Sequence, residues 1–169
     1  NGNNAKALEY MLMTDEYPAN HGYAHLEYYA RDAQVYYNIG MAYEKVGDAA
    51  KAREYYEKAA AVEVKPVDCA YNYEKALAML KLDPKANVNP MFREMLSFGE
   101  NSVTDYVERF FESFDYGPRP EDVNTKAYYI QGLAWKALGK ESKARGCFGK
   151  ALGQRNDNVW ANYYLNNIK

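Results

Sequence analysis

A single spacing of small residues constrains the fold of this chain more than any other feature of the sequence. Residues 36–60 read YYNIGMAYEKVGDAAKAREYYEKAA, where Gly40 is followed by Gly47 after seven residues and by Ala52 after five more. Small side chains where two helices cross let the backbones approach closely, and glycine ends a helix at little steric cost in the left-handed conformation. The spacing therefore predicts a helix hairpin that crosses at Gly40 and Ala52 and turns at Gly47.

A second copy of the pattern lies in residues 127–152, which read AYYIQGLAWKALGKESKARGCFGKAL. Gly132, Gly139 and Ala144 repeat the intervals of seven and five residues. Phe148 follows after four more, as an aromatic residue also does in the first copy. Repeated units of this size stack so that each contacts its neighbours, and the two copies therefore predict an all-α, stacked architecture.

Both copies resemble the tetratricopeptide repeat, whose pattern is W-x2-L-G-x2-Y, then A-x3-F, then A and P. The resemblance covers 33–65 and 125–156, with Tyr in place of the first Trp and Gln131 in place of the Leu before Gly132. It implies a TPR-like α-α superhelix, a solenoid of antiparallel helix hairpins. It also implies a role in binding other proteins.

The rest of the chain is predicted to complete one solenoid domain over 1–169, with inserted non-repeat helices. Gly2, Ala7 and Met11 have the offsets of a second repeat helix, so the chain is expected to start inside a repeat. The predicted segments are a half repeat (1–17), a clear repeat (33–65), degenerate and inserted helices (67–117), a clear repeat (125–156) and a capping helix (158–169).

Three helices are predicted between the clear repeats, over 71–84, 89–98 and 102–114. The last of them has apolar residues at i, i+3, i+4, i+7, i+8 and i+11, which form one wide helix face, and Ser102 gives it a start like a capping box. In the capping helix Trp160, Tyr164 and Leu165 are expected to pack inward. Its polar residues are expected to face water, as in the caps of solenoids: Asn162, Asn166, Asn167 and Lys169.

The order of the segments is similar to the C-terminal helical tail of large bacterial proteins that carry an uncharacterised N-terminal domain. The stretches that carry this resemblance are ALEYMLMTDEYPAN, YYNIGMAYEKVGDAAKAREYYEKA and VERFFESFDYG. The resemblance implies a bacterial multidomain parent, of which this chain is a piece, and it brings no established activity.

Charge and composition argue against several classes of partner and chemistry. The chain has 21 Lys and Arg against 23 Asp and Glu, so no basic field for a phosphate backbone is expected and no nucleic acid is predicted as a partner. No apolar run approaches the roughly 20 residues that span a bilayer, and no membrane contact is predicted. His21 and His25 are spaced like two metal ligands, but no third ligand accompanies them. The sequence therefore predicts no catalytic, cofactor or metal site.

The groove implied by the resemblance is the first candidate binding surface. In tetratricopeptide proteins the first helix of each repeat lines a concave groove at positions two, five, nine, twelve and thirteen. These positions select Gln34, Tyr37, Met41, Glu44 and Lys45 in the first clear repeat, and Lys126, Tyr129, Leu133, Lys136 and Ala137 in the last. Two interpretations stay open. The groove accepts an aromatic or apolar segment or a sugar ring, or the inserted helices bury these side chains and they only stabilise the fold.

A stripe of glycines is the second candidate surface. Gly146, Gly149 and Gly153 follow one another at intervals of three and four on the second helix of the last repeat. Each interior glycine costs about 1 kcal/mol relative to alanine. One hypothesis is that this stripe lets another backbone dock, and the other is drift on a tolerant surface. At the equivalent positions the first clear repeat has Glu54, Glu57 and Ala61.

The function predicted from these features is a protein–protein interaction or scaffolding module of a larger bacterial protein, without catalysis of its own. Its partner is predicted to be a protein or peptide, with the upstream part of the same parent as one candidate. The alternative is a non-catalytic assisting domain of a carbohydrate-active or other enzyme, whose tyrosines contact a substrate. The sequence leaves the compartment, the oligomeric state and the identity of the partner open.

Overall fold

A computed structural model describes residues 3–15, 30–105 and 119–168. These residues form helices and no strand, which confirms the predicted all-α, TPR-like class. The helices are α1 (Asn4–Leu12), α2 (Asp32–Val46), α3 (Ala49–Ala61), α4 (Asn72–Leu82), α5 (Asn89–Ser102), α6 (Pro120–Ala137), α7 (Glu141–Gln154) and α8 (Val159–Asn167), with a short 3₁₀ helix at Pro66–Tyr71. The chain divides into two compact units, Asn1–Val88 and Asn89–Lys169, which are described separately. A single domain over 1–169 stays a prediction.

Three of the helices begin at side chains that cap the first turn. Asn3, Asp48 and Asn158 precede α1, α3 and α8, and each accepts a hydrogen bond from the backbone N–H three residues later, at 3.0, 2.9 and 2.9 Å. Such caps satisfy an otherwise unpaired N–H group and contribute about 1 kcal/mol each. The sequence thus fixes these helix starts locally.

In the first unit, α2 and α3 form the predicted hairpin. A Cβ atom on Gly40 would lie 2.6 Å from Cε1 of Tyr56, so only glycine permits this crossing. The backbone φ of Gly47 is +86°, which confirms the left-handed end of α2. The two helices of the hairpin therefore cross where the ring of Tyr56 packs directly on the backbone of Gly40.

Helices on either side of the hairpin complete the first unit. Leu8, Met11 and Leu12 of α1 pack against a cluster formed by Val35, Ile39 and Tyr55. On the other side, Ala78 of α4 joins a second buried cluster with three residues of α3: Ala52, Tyr56 and Ala59. The hairpin thus has a neighbouring helix on each side, as expected for stacked units.

In the second unit, α6 and α7 repeat the same crossing. A Cβ atom on Gly132 would lie 2.4 Å from Cε1 of Phe148, which is completely buried. Gly139 has a φ of +68° in the turn between the helices. The second copy of the sequence pattern therefore gives the same hairpin as the first.

Helix α5 packs closely on α6. A Cβ atom on Gly99 would lie 2.9 Å from the carbonyl oxygen of Ala127 and 2.7 Å from Cγ of Gln131. The buried Asn124 of α6 also accepts from the N–H of Thr104 at 2.9 Å and donates to its carbonyl at 2.8 Å. These contacts hold the segment after α5 against α6.

The helices predicted in the inserted segment are found in part. The first is α4, and the second, predicted over 89–98, extends to Ser102 as α5. Ser102 therefore ends a helix instead of starting one, and its hydroxyl donates to the carbonyl of Phe98 at 2.7 Å. Residues 103–105 are not helical, and the remainder of the predicted helix over 102–114 lies outside the described residues.

Helix α8 presents a different face from the one predicted. Ala161 of α8 is buried, as is Ile168 directly after the helix, and Tyr164 and Leu165 are half-buried, whereas Trp160 is 49% exposed. The inward face follows the spacing i, i+3, i+4 and i+7 counted from Ala161. Trp160 precedes Ala161 by one residue, which rotates it by about 100° around the helix and away from that face. The expectation that Trp160 packs inward was therefore wrong.

Candidate functional site

The first groove face, defined as Gln34, Tyr37, Met41, Glu44 and Lys45, lies on α2 and contacts α4 at two of its residues. Nε2 of Gln34 donates to Oε1 of Glu74 at 3.1 Å. Nζ of Lys81 lies 2.7 Å from Oε2 of Glu44. Gln34 and Glu44 are thus bonded to the neighbouring helix.

Glu74 is the most unusual partner of this face, because it is a carboxyl group with only 4% exposure. Burial raises its pKa to about 7, although the hydrogen bond from Gln34 opposes that shift. A carboxyl group with such a pKa gains or loses its proton as the pH changes around neutrality. Burial is the main cause of the raised pKa values of Tyr37 and Tyr71, and the charge on Glu74 is one of the smaller causes of both.

The apolar residues of the first groove face pack into the unit. Tyr37 and Met41 pack against the buried cluster around Tyr56, and the ring centroids of Tyr37 and Tyr56 are 5.8 Å apart. Burial raises the pKa of Tyr37 to about 12. Both side chains are half-buried, so each offers only part of its surface to a ligand.

Two cavities border this face. One, of about 90 Å³, lies between α1 and α2, and Met41 and Lys45 are among its lining residues. The other, of about 310 Å³, is lined by residues that include Glu44, Lys81 and the buried Tyr56. The hydrogen bond from Lys81 lowers the pKa of Glu44, so an ion pair at this cavity is charged at neutral pH.

The second groove face, defined as Lys126, Tyr129, Leu133 and Lys136, lies on α6 of the second unit. Leu133 is only 1% exposed and belongs to the core, so it cannot contact a ligand as the sequence pattern predicted. Tyr129 is half-buried, and its ring centroid lies 6.1 Å from that of Phe148. Lys126 is exposed, and Nζ of Lys136 lies 5.5 Å from the ring centroid of Tyr164. The polar residues of this face thus flank a buried centre. Ala137, the thirteenth position, is half-buried.

The glycine stripe on α7 lies on the surface of the second unit. Gly146, Gly149 and Gly153 are all exposed, and a Cβ atom on any of them would meet no described atom within 4 Å. This is the reverse of Gly132, where a neighbouring ring requires glycine. Packing within the unit therefore does not explain these three glycines.

Sequence reasoning missed two features of these surfaces. Glu74 follows Gly40 by 34 residues, the length of one repeat, and that spacing is the signal for its buried position. The other is the exposed pair Trp160 and Tyr163 on α8, with 49% and 52% exposure. Both lie on helices that depart from the repeat pattern.

The described residues provide little for metal or nucleophilic chemistry. Within 3–15, 30–105 and 119–168, no three His, Cys, Asp or Glu side chains are grouped to hold a metal ion. Burial raises the pKa of the Cys147 thiol, which lowers its thiolate fraction at neutral pH. A search of the same ranges finds no candidate for a membrane-spanning helix. His21 and His25 lie outside the described residues.

Comparison with known families agrees with the hairpin geometry of the first unit. Residues 33–63 match the family model described as the tetratricopeptide repeat. The chain therefore contains a tetratricopeptide repeat, a motif that generally mediates protein or peptide binding. The comparison with curated proteins finds no match to the chain.

Proposed function

We propose that the chain is a protein–protein interaction or scaffolding module of a larger bacterial protein and has no catalytic activity of its own. The observation that carries this proposal is the tetratricopeptide repeat at 33–63, folded as a hairpin with a neighbouring helix on each side. Such repeats present side chains from stacked helices to a partner. Nucleic acid and membrane are not proposed as partners.

The surfaces proposed for binding are the exposed parts of the two groove faces and the glycine stripe. Lys45 and Lys126 are exposed, and Tyr37 and Tyr129, which lie on the same two helices, are half-buried. The glycine stripe would accept a closely approaching backbone, and the upstream part of the parent protein is one partner proposed for it. Replacing all three stripe glycines with alanine should raise stability and weaken that association; unchanged association would remove the stripe from the proposal.

A second function is favoured by a specific observation, the exposed rings of Trp160 and Tyr163. Exposed aromatic rings also bind sugar rings by stacking. A non-catalytic assisting domain of a carbohydrate-active enzyme would use them in this way. The two functions differ in the ligand that these rings and the groove faces recognise.

The test is a titration of the full chain with a panel of peptides and a panel of oligosaccharides, followed by amide and aromatic NMR shifts. The interaction module predicts shifts with peptides, concentrated on the groove faces, the glycine stripe or α8. The assisting domain predicts saturable shifts with an oligosaccharide instead. Binding of sugars without binding of any peptide would overturn the first function.

A further inference from the structure

A buried hydrogen bond joins α2 and α4 inside the first unit, and we call the pair that forms it, Gln34 and Glu74, the latch. Glu74 is only 4% exposed, and Nε2 of Gln34 donates to its Oε1 at 3.1 Å. The two residues are 40 positions apart, so this bond holds one helix on another. A carboxyl group in such a place is costly to keep once it is charged, unless a cation lies beside it.

The groups that face Glu74 from α2 and from the 3₁₀ helix do not supply that cation. Tyr37 and Tyr71 lie close enough for the charge on Glu74 to act on them, and since burial raises the pKa of both, their hydroxyls stay neutral around pH 7. Arg31 and Asp68 act on the pKa of Tyr71 in opposite directions. Within the described residues, the pKa of Glu74 itself is set by burial, by Gln34 and by a backbone hydrogen bond.

Helix α3 and the remainder of α4 do not supply a cation either. Burial raises the pKa of Tyr56, so this ring of α3 is neutral as well. On α4, Nζ of Lys75 donates to the carbonyl of Val62 at 2.7 Å. Lys81 pairs with Glu44 about two turns beyond Glu74. The lysines of α4 are therefore engaged away from the latch.

The segment before α4 has the features of a hinge. The 3₁₀ helix Pro66–Tyr71 is interrupted at Asp68, whose φ of −106° and ψ of 15° are not helical. Short 3₁₀ helices have poorer hydrogen-bond geometry than α-helices and often mark hinges. Lys65, Pro66 and Val67 at its start are exposed. The first turns of α4 can thus move by changes at a few backbone positions.

We propose that the latch is sensitive to pH: it keeps the first turns of α4 on α2 while Glu74 is protonated and releases them when Glu74 loses its proton. The movement brings the carboxylate to water and avoids the cost of a buried charge. The pKa of about 7 places this change near neutrality. Since Gln34 belongs to the first groove face, release would also alter that face. The inference goes beyond the proposed binding function and does not depend on it.

The experiment is amide hydrogen exchange of the full chain at pH 5, 6, 7 and 8, corrected for the intrinsic exchange rate at each pH. With an ordinary pKa of 4.5 and a folded value of about 7, the equilibrium constant for opening of residues 72–78 should rise roughly 70-fold from pH 5 to pH 8. The rise should level off above the folded pKa. A constant that does not change with pH would overturn the latch.

Low concentrations of urea separate release of the latch from unfolding of the whole unit. A local opening exposes little surface, so exchange of residues 72–78 should hardly respond to urea below the unfolding transition, whereas exchange within α3 should accelerate. The same response to urea in both helices would show that the unit opens as a whole, and the latch would be wrong.

Two matched variants assign the pH dependence to one carboxyl group. Glu74→Gln keeps the oxygen that accepts from Gln34 but cannot ionise, so it should lose the rise in opening between pH 5 and pH 8. Glu63→Gln removes an exposed carboxyl group before the 3₁₀ helix and should keep the rise of the parent. A rise that persists in Glu74→Gln would assign the effect to another group and overturn the proposal.

A carboxyl-carbon NMR titration tests the role of Gln34. The signal of Glu74, assigned by its loss in Glu74→Gln, should have a midpoint near 7 in the parent. Gln34→Leu should raise that midpoint, because the hydrogen bond from the amide favours the carboxylate. A parent midpoint near 4.5 would overturn the latch, and an unchanged midpoint in Gln34→Leu would remove Gln34 from it. None of these measurements uses a peptide, so the latch and the binding function can fail separately.

Discussion

The two helix hairpins share one buried contact and differ on their outer faces. Gly40 lies against Tyr56 in the α2–α3 hairpin, and Gly132 lies against Phe148 in the α6–α7 hairpin. In both pairs an added Cβ would approach the ring to less than 3 Å. The interior of the repeat is therefore specified by steric exclusion, and it tolerates a change of ring from tyrosine to phenylalanine.

The outer faces of α3 and α7 have diverged at equivalent positions. On α3, Glu54 pairs with Lys51 at 2.8 Å, and Glu57 pairs with Arg53 at 2.9 Å. On α7 the positions of both glutamates are occupied by glycine. The two glutamates pair only within α3 in these contacts, and a Cβ atom on either glycine of α7 would meet no described atom within 4 Å, so packing within the repeat does not explain the difference. If the two hairpins bind different partners, we expect the residues that distinguish those partners to lie outside the positions that define the repeat.

The largest predicted effect concerns Glu74, a buried carboxyl group that stands 34 residues after Gly40 in the sequence. Its pKa is about 7 in the folded chain against an ordinary value of 4.5. The folded state therefore holds this proton more tightly, and the contribution of Glu74 to stability falls as pH rises from about 4.5 to about 7. Glu74→Gln should remove this loss and raise the free energy of unfolding at pH 8 by about 3 kcal/mol.

Urea unfolding of parent and variant at pH 5, 6, 7 and 8, followed by circular dichroism, measures this difference. Glutamine keeps the side-chain oxygen that accepts from Gln34, so the variant changes mainly the charge. Glu63→Gln, at an exposed position, is the matched control and should leave the pH profile unchanged. Parallel profiles for the parent and Glu74→Gln would show that the buried carboxyl does not titrate in this range.

The next effect tests whether the two buried contacts are equivalent. Gly40→Ala and Gly132→Ala should each lower the free energy of unfolding by about 2 kcal/mol, because the new methyl group overlaps a buried ring. Replacing Phe148 with leucine in the Gly132→Ala variant should recover part of the loss, since a smaller side chain makes room. Thermal unfolding of the single and double variants measures this coupling.

If Gly132→Ala proved as stable as the parent, the ring of Phe148 would have room to move and the steric argument would fail. A loss at Gly132 without one at Gly40 would show instead that the two hairpins differ in rigidity. Either result would be informative about which copy of the repeat keeps its geometry under change.

The hairpins could be predicted from sequence because their determinants are local. Gly47 and Gly139 are both in the left-handed conformation that the pattern predicts, and both helix crossings occur at the predicted glycines. The end of α5 at Ser102 could not be predicted in this way, since a serine with an acidic residue after it also fits a helix start. After Ser102 the chain is not helical, and in this segment the side chain of Asn124 bonds both the N–H and the carbonyl of Thr104, a contact between residues 20 positions apart in the sequence.

The candidate surfaces were less predictable, because exposure depends on which helix covers each residue. Groove positions taken from the repeat pattern selected Leu133, which the second unit buries. Gln34 and Glu44 were also selected, and the polar groups of α4 that bond them lie about 40 residues away in sequence. Trp160 was expected to pack inward, yet the small Ala161 occupies the inward position and Trp160 is exposed.

The smallest predicted effect addresses the divergent outer faces. Gly149→Ala should raise the free energy of unfolding by about 1 kcal/mol, since alanine favours the helix and its methyl group meets open space. Glu57→Gly, the reciprocal change on α3, should lower it by a similar amount. Chemical unfolding of both variants gives the comparison, with Gly139→Ala as a control in which the positive φ should make alanine unfavourable. A destabilising Gly149→Ala would mean that α7 packs against a further part of the chain at this position, and the contrast between the two outer faces would then be one of burial.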